Sequence, residues 1–150
     1  MRSLVMMLLA ATVLTACQKA APQAATIEAA SVRLPAVAEN PGAAYFTLHG
    51  GSVDDHLLSV TSPLVVRAEM HDMAMKGTMM SMGKIEGGVA LPAGATVRFA
   101  SGGKHVMLFD ISPKAVAGGK LPLVMTFASG AKLEADADVV AAGGPSPHEL

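Results

Sequence analysis

Six of the chain's 11 methionines, Met70, Met73, Met75, Met79, Met80 and Met82, crowd into one short segment together with His71, Asp72, Lys76, Gly77, Thr78, Ser81 and Gly83. A second such group, Lys104-His105-Val106-Met107, follows after a glycine-rich stretch. Methionine ordinarily fills irregular gaps in cores, but a core segment would not be this polar. Thioethers and imidazoles together make a donor set for a soft metal ion. Thioethers select Cu(I), whereas calcium, magnesium and manganese prefer oxygen ligands that these residues scarcely offer. Cu(I) is therefore the expected ion, with silver as its chemical mimic. Methionine binds without losing a proton, so only the histidines would make affinity depend on pH. The hazard of such a site is oxidation of methionine to its sulfoxide.

Geometry narrows the candidates. Successive side chains of a strand point to opposite faces. His105 and Met107 therefore project the same way, roughly 7 Å apart along the strand, with Val106 and Leu108 toward the core. By the same rule Arg67, Glu69 and His71 form the polar face of a strand over Leu64–His71, with Val66, Ala68 and Met70 inward. The methionine-rich segment then reads as a loop that starts at His71 and folds back over His105 and Met107. Within Met79-Met80-Ser81-Met82 the spacing does not fix which thioether ligates, and Met73 or Met75 could supply an accessory ligand. Glu69 or Asp72 could orient the His71 imidazole as an acceptor, although a solvated charge is the plainer reading of both. Met70 and Met125 are expected in the core, and His49 and His56 at turns or on the surface.

These residues need a scaffold of short elements. Gly50-Gly51, Pro92-Ala93-Gly94, Gly102-Gly103, Gly118-Gly119 and Ser129-Gly130 mark turns. Between them the sequence predicts nine strands: Thr26–Leu34, Ala43–His49, His56–Val60, Leu64–His71, Lys84–Leu91, Ala95–Ala100, His105–Ile111, Leu121–Ala128 and Lys132–Val140. The last alternates Leu133, Ala135, Ala137 and Val139 with Glu134, Asp136 and Asp138, a period of two that favours strand over helix. Short strands at this spacing predict an all-β antiparallel sandwich or Greek-key barrel of about eight or nine strands.

The 150 residues suffice for one domain, and a hydrophobic fraction of 51% with mean hydropathy +0.45 argues against disorder. The net charge is −1 and the basic residues are scattered, so no nucleic-acid partner is expected. Met1-Arg2-Ser3 followed by the apolar run from Leu4 reads as an export signal, too short to span a bilayer permanently. Leu14-Thr15-Ala16-Cys17 resembles a bacterial lipobox. Residues 1–16 are then the lipoprotein signal, Cys17 the lipidated residue, 17–25 a tether, 26–142 the domain and 143–150 a flexible tail. Ordinary signal cleavage, giving a soluble periplasmic protein, is the alternative. Cys17 is the single cysteine, which excludes an intramolecular disulfide and a blue-copper site, since the latter needs a thiolate inside the domain. No nucleophile elbow, catalytic triad order or phosphate loop stands out, so no enzyme is expected.

The arrangement resembles the periplasmic copper chaperone family PCu(A)C, which carries a His, a Met about ten residues on, and a His-x-Met roughly twenty residues later. Here ten residues separate His71 from Met82, 22 separate Met82 from His105, and Met107 completes the motif. The resemblance covers roughly residues 30–140 and takes in Ala43-Ala44-Tyr45-Phe46-Thr47-Leu48-His49, Asp55-His56-Leu57, Glu86-Gly87-Gly88, Leu91-Pro92-Ala93-Gly94 and Gly102-Gly103. It implies a cupredoxin-like barrel with His71, Met82, His105 and Met107 as Cu(I) ligands and Met73 as a possible accessory. It also implies delivery of copper toward a recipient such as the Cu(A) subunit of cytochrome oxidase or its assembly factors. The chain departs from the family in lacking Trp and in reducing the Met/His-rich tail of some members to His148. The expectation is a monomeric, lipid-anchored periplasmic carrier. Gln18, in place of an inner-membrane retention aspartate, leans toward the outer membrane. Two alternatives stand beside it: a copper-buffering or resistance protein without a dedicated recipient, and a metal-free β-sandwich lipoprotein whose methionines form a protein contact patch.

Overall fold

The computed structural model describes residues 22–144, and all regular structure within them is β-strand. The strands are β1 (Thr26–Arg33), β2 (Gly42–His49), β3 (Asp55–Thr61), β4 (Val65–Lys76), β5 (Met79–Lys84), β6 (Val89–Leu91), β7 (Thr96–Phe99), β8 (His105–Ile111), β9 (Lys120–Phe127) and β10 (Lys132–Val140). The all-β expectation holds, and seven of the nine expected strands lie within one residue of the observed bounds, but two differ by more. The strand expected to end at His71 runs on to Lys76, and the expected Lys84–Leu91 strand is only the short β6. Between them the methionine-rich segment is no loop: it is the β4–β5 hairpin. Its two-residue turn, Gly77-Thr78, has Gly77 at φ +64° and no positive φ at Thr78. That is the signature of a type II′ turn, whose first central position favours glycine.

Hydrogen bonding links the strands into one path, β5-β4-β8-β2-β1-β10-β9-β3-β6, with β7 alongside β2. All pairs are antiparallel except β1 with β10. Strand β2 serves two neighbours along the same side, β8 through Gly42–Ala44 and β7 through Phe46–His49. The sheet wraps around a core to which nearly every strand contributes: Val32, Phe46, Leu48, Leu57, Phe99, Val106, Leu108, Leu121, Leu123, Met125 and Ala137 are fully buried. Phe46 and Phe99, cross-strand partners, stack with ring centroids 4.5 Å apart. Truncating a residue such as Leu108 to alanine would cost about 2 to 5 kcal/mol. Met70 and Met125 are core residues, as expected. Val66, expected to face inward, is not: it is 80% exposed.

Both ends of the described chain are tied down. The Gln23 carbonyl accepts from the Ser52 amide at 2.9 Å, so the domain grips the chain before the expected end of the tether. At the other end the Gly144 carbonyl accepts from Arg33 Nη2 at 3.1 Å, so the expected tail is held at its first residues. The signal segment, Cys17 and residues 145–150 lie outside the described residues.

Candidate metal centre

Three strands at one end of the sheet, β5, β4 and β8, carry the candidate ligands. The β4–β8 register sets His71 opposite His105 and Glu69 opposite Met107. The β4–β5 register sets Met73 opposite Met82, Met75 opposite Met80, and Lys84 opposite His71. Directly opposed residues share a face, as do residues two apart. Glu69, His71, Met73, Met75, Met80, Met82, Lys84, His105 and Met107 therefore stand on one face, outside the core that Met70, Val106 and Leu108 fill. The face is a ladder. A histidine rung lies at its centre, Met107 one step toward Glu69, and the Met73–Met82 rung one step toward the hairpin tip.

The histidine rung is tightly built. The two rings lie with centroids 6.0 Å apart and planes 28° from parallel. His105 Nδ1 lies 2.8 Å from the Gly103 carbonyl oxygen, which can only accept, so Nδ1 carries the proton and Nε2 keeps its lone pair. His71 Nε2 lies 3.3 Å from Glu69 Oε2 and donates to it, which leaves Nδ1 as the free lone pair. That Nδ1 is buried and has no hydrogen-bond partner. A buried polar atom without a partner costs about 1 to 3 kcal/mol, and an ion bound there would remove the deficit. Glu69 also receives Arg67, and Lys84 Nζ approaches it at 3.5 Å. The His71 hydrogen bond first, and the Arg67 bond second, hold the Glu69 carboxyl below the usual carboxylate range. Arg67 in turn stacks over the Phe109 ring at 3.7 Å.

His71, His105 and Met107 thus come together on one face as the sequence places them, and Ala43 on β2 stands opposite Met107, a small neighbour for the thioether. Met82 joins the face from the outermost strand, diagonal to His71, with Met73 between them. Register also sorts the other methionines: Met80 shares the face, whereas Met79, opposite Lys76, points away. Of the two acidic neighbours of His71, Glu69 contacts it, while Asp72 faces the other way and pairs with Lys104 at 2.9 Å. The sequence reading passed over Lys84, whose signal was its position two residues after Met82. His49 bonds Thr96 and Glu28, away from the ladder. Among the described residues no three His, Cys, Asp or Glu side chains gather as a metal site. The donors this face offers are the histidine pair and the neighbouring thioethers.

Fold and site together define a class: a cupredoxin-like β-domain of the PCuAC type, with a soft-donor ladder on three strands. The structure is similar to the copper-bound PCuAC domain from PmoF2, with a TM-score of 0.66 and 26% identity over 81% of this chain and 96% of that one. It also shares its fold with the CuI form of DR1885 from Deinococcus radiodurans, with a TM-score of 0.56 and 24% identity over 79% of this chain and 76% of that one. The chain belongs to the LpqE-like family, described as "Putative lipoprotein LpqE-like", whose pattern spans residues 25–139. A relative from Leifsonia xyli subsp. xyli, described as "Putative lipoprotein Lxx21020", is 29% identical over 80 residues, 53% of this chain; the chain spans about half the length of that relative.

Proposed function

We propose that this protein is a periplasmic carrier of Cu(I), binding the ion through His71, His105, Met107 and Met82, with Met73 as an accessory ligand. The observation that carries the proposal is the histidine rung. Two imidazoles face each other across β4 and β8, one with a buried lone pair and no partner, and thioethers stand on either side of them. Soft neutral ligands suit carriage, since a thioether can be exchanged for a recipient's ligand without a proton leaving or arriving. Similarity to a copper-bound PCuAC domain supports the same reading. Silver would occupy the site as a mimic. A recipient such as the Cu(A) subunit of cytochrome oxidase, or one of its assembly factors, would take the ion by stepwise ligand exchange. Cys17, lipidated after removal of residues 1–16, would hold the domain at the membrane, the outer membrane in a Gram-negative cell.

The test is an anaerobic Cu(I) titration against a colorimetric chelator, for the wild type and for a His105→Ala/Met107→Ala variant. The wild type should withhold one equivalent and the variant none. A wild type that fails to compete would sink the metal reading and leave the methionines as a protein contact patch. A protein that binds its equivalent yet passes none to an apo acceptor would be a buffer and not a carrier.

A further inference from the structure

We infer that Met75 and Met80 form a second, outer site for a soft monovalent ion, distinct from the histidine-containing one. The inference rests on the carrier reading above but concerns residues outside its ligand set. Met75 and Met80 are directly opposed across β4 and β5, so their side chains leave the sheet on one face. That face is the one bearing His71, His105, Met107, Met73 and Met82. The next pair outward, Lys76 with Met79, points to the opposite face, and the turn at Gly77-Thr78 follows. The Met75–Met80 rung is therefore the outermost one on the metal face.

Distance separates it from the inner site. Met75 lies four steps along the strand from His71, about 14 Å at 3.4 Å per residue. No single ion can be held by both rungs. Met73 and Met82 stand between them, about 7 Å from each by the same spacing. Burial argues in the same direction: Met75 is 61% and Met80 53% exposed. Methionines placed for packing would be covered, whereas these two are more than half exposed, side by side, at the tip of a two-stranded arm. Two neutral thioethers suffice for a weakly held Cu(I) or Ag(I), which keeps its charge and oxidation state on binding. No proton is released, and passage inward exchanges one sulfur ligand for another. The three rungs form a graded path, from two exposed thioethers, through Met73 and Met82, to the histidine pair.

Methionine methyl NMR tests this directly. The full chain, labelled with 13C at the methionine methyls and assigned by single Met→Leu variants, is titrated with Ag(I) as the redox-inert probe. The first equivalent should move the Met82 and Met107 signals. A second, weaker equivalent should move Met75 and Met80. A Met75→Leu/Met80→Leu variant, close to wild type in volume, should keep the first response and lose the second. Met75 and Met80 signals that stay in place beyond the first equivalent would overturn the inference. So would signals that move together with Met82 in the first equivalent, since that would mean one cluster. Silent Met82 and Met107 signals would count against the carrier reading instead, with the Met75 and Met80 response still deciding this one.

Discussion

Glu69 decides which nitrogen of His71 keeps its lone pair. By accepting from Nε2 it leaves the Nδ1 lone pair free, while the Gly103 carbonyl does the converse for His105 and frees Nε2. The sequence named Glu69 and Asp72 equally as acceptors for His71 and favoured neither. Strand parity separates them: residue 69 shares the face of residue 71, and residue 72 does not. A Glu69→Gln substitution keeps the size and an acceptor oxygen but loses the charge that holds the imidazole in one tautomer. Partners of this kind contribute about 10- to 100-fold to metal affinity, so the variant should bind Cu(I) at least about tenfold more weakly. A chelator competition at pH 7 measures this, and unchanged affinity would reduce Glu69 to a bystander in the Arg67 and Lys84 ion pairs.

The elements were legible wherever turn chemistry and alternation agreed, and β8 and β10 were expected with the boundaries they have. The hairpin was not. Met79-Met80-Ser81-Met82-Gly83 contains no β-branched or aromatic residue, so its strand character comes from pairing with β4 and not from local preference. Only that pairing fixes which methionines share a face, and spacing alone left Met79, Met80 and Met82 equivalent. Elsewhere a single side chain fastens one element to another. Asp55, at the start of β3, accepts from the Ser129 hydroxyl at 2.6 Å and the Ser129 amide at 3.1 Å, clamping β3 to the β9–β10 turn. These bonds, the hydroxyl's foremost, hold its carboxyl below the ordinary value of 3.8. A group with a depressed folded pKa stabilises the fold above its unfolded value, and that contribution vanishes as pH falls through the folded value. Asp55→Asn should therefore lower the urea midpoint at pH 7, and the two proteins should converge as the medium is acidified well below 3.8. Equal midpoints at pH 7 would show that the clamp contributes nothing.

At the scale of the whole molecule, the site lies at one end of a strand path whose body is the core. Strand β5 is the terminal strand, β4 joins it to β8, and β8 is anchored through Val106 and Leu108. An ion held by His71 and His105 would tie β4 to β8, and Met82 would extend that tie to β5. It would bind the folded chain far more tightly than the unfolded one, because no unfolded chain holds residues 71, 82, 105 and 107 together. Stability then rises with free ion, by about 2.7 kcal/mol at one hundred times the dissociation constant. For a chain of this size that corresponds to an increase of about 5 to 10 °C in melting temperature. Calorimetric melts under anaerobic conditions, with free Cu(I) set by a chelator buffer, should show the rise in wild type and none in His105→Ala. Removing the copper with excess chelator should restore the apoprotein midpoint. Leu108→Ala provides the contrast, since its side chain supports β8 from the core side and not from the metal face. It should melt lower than wild type in both states yet keep most of the copper-induced increment. Loss of that increment in Leu108→Ala would mean that the ladder is not preformed on a rigid sheet but is ordered only together with the core.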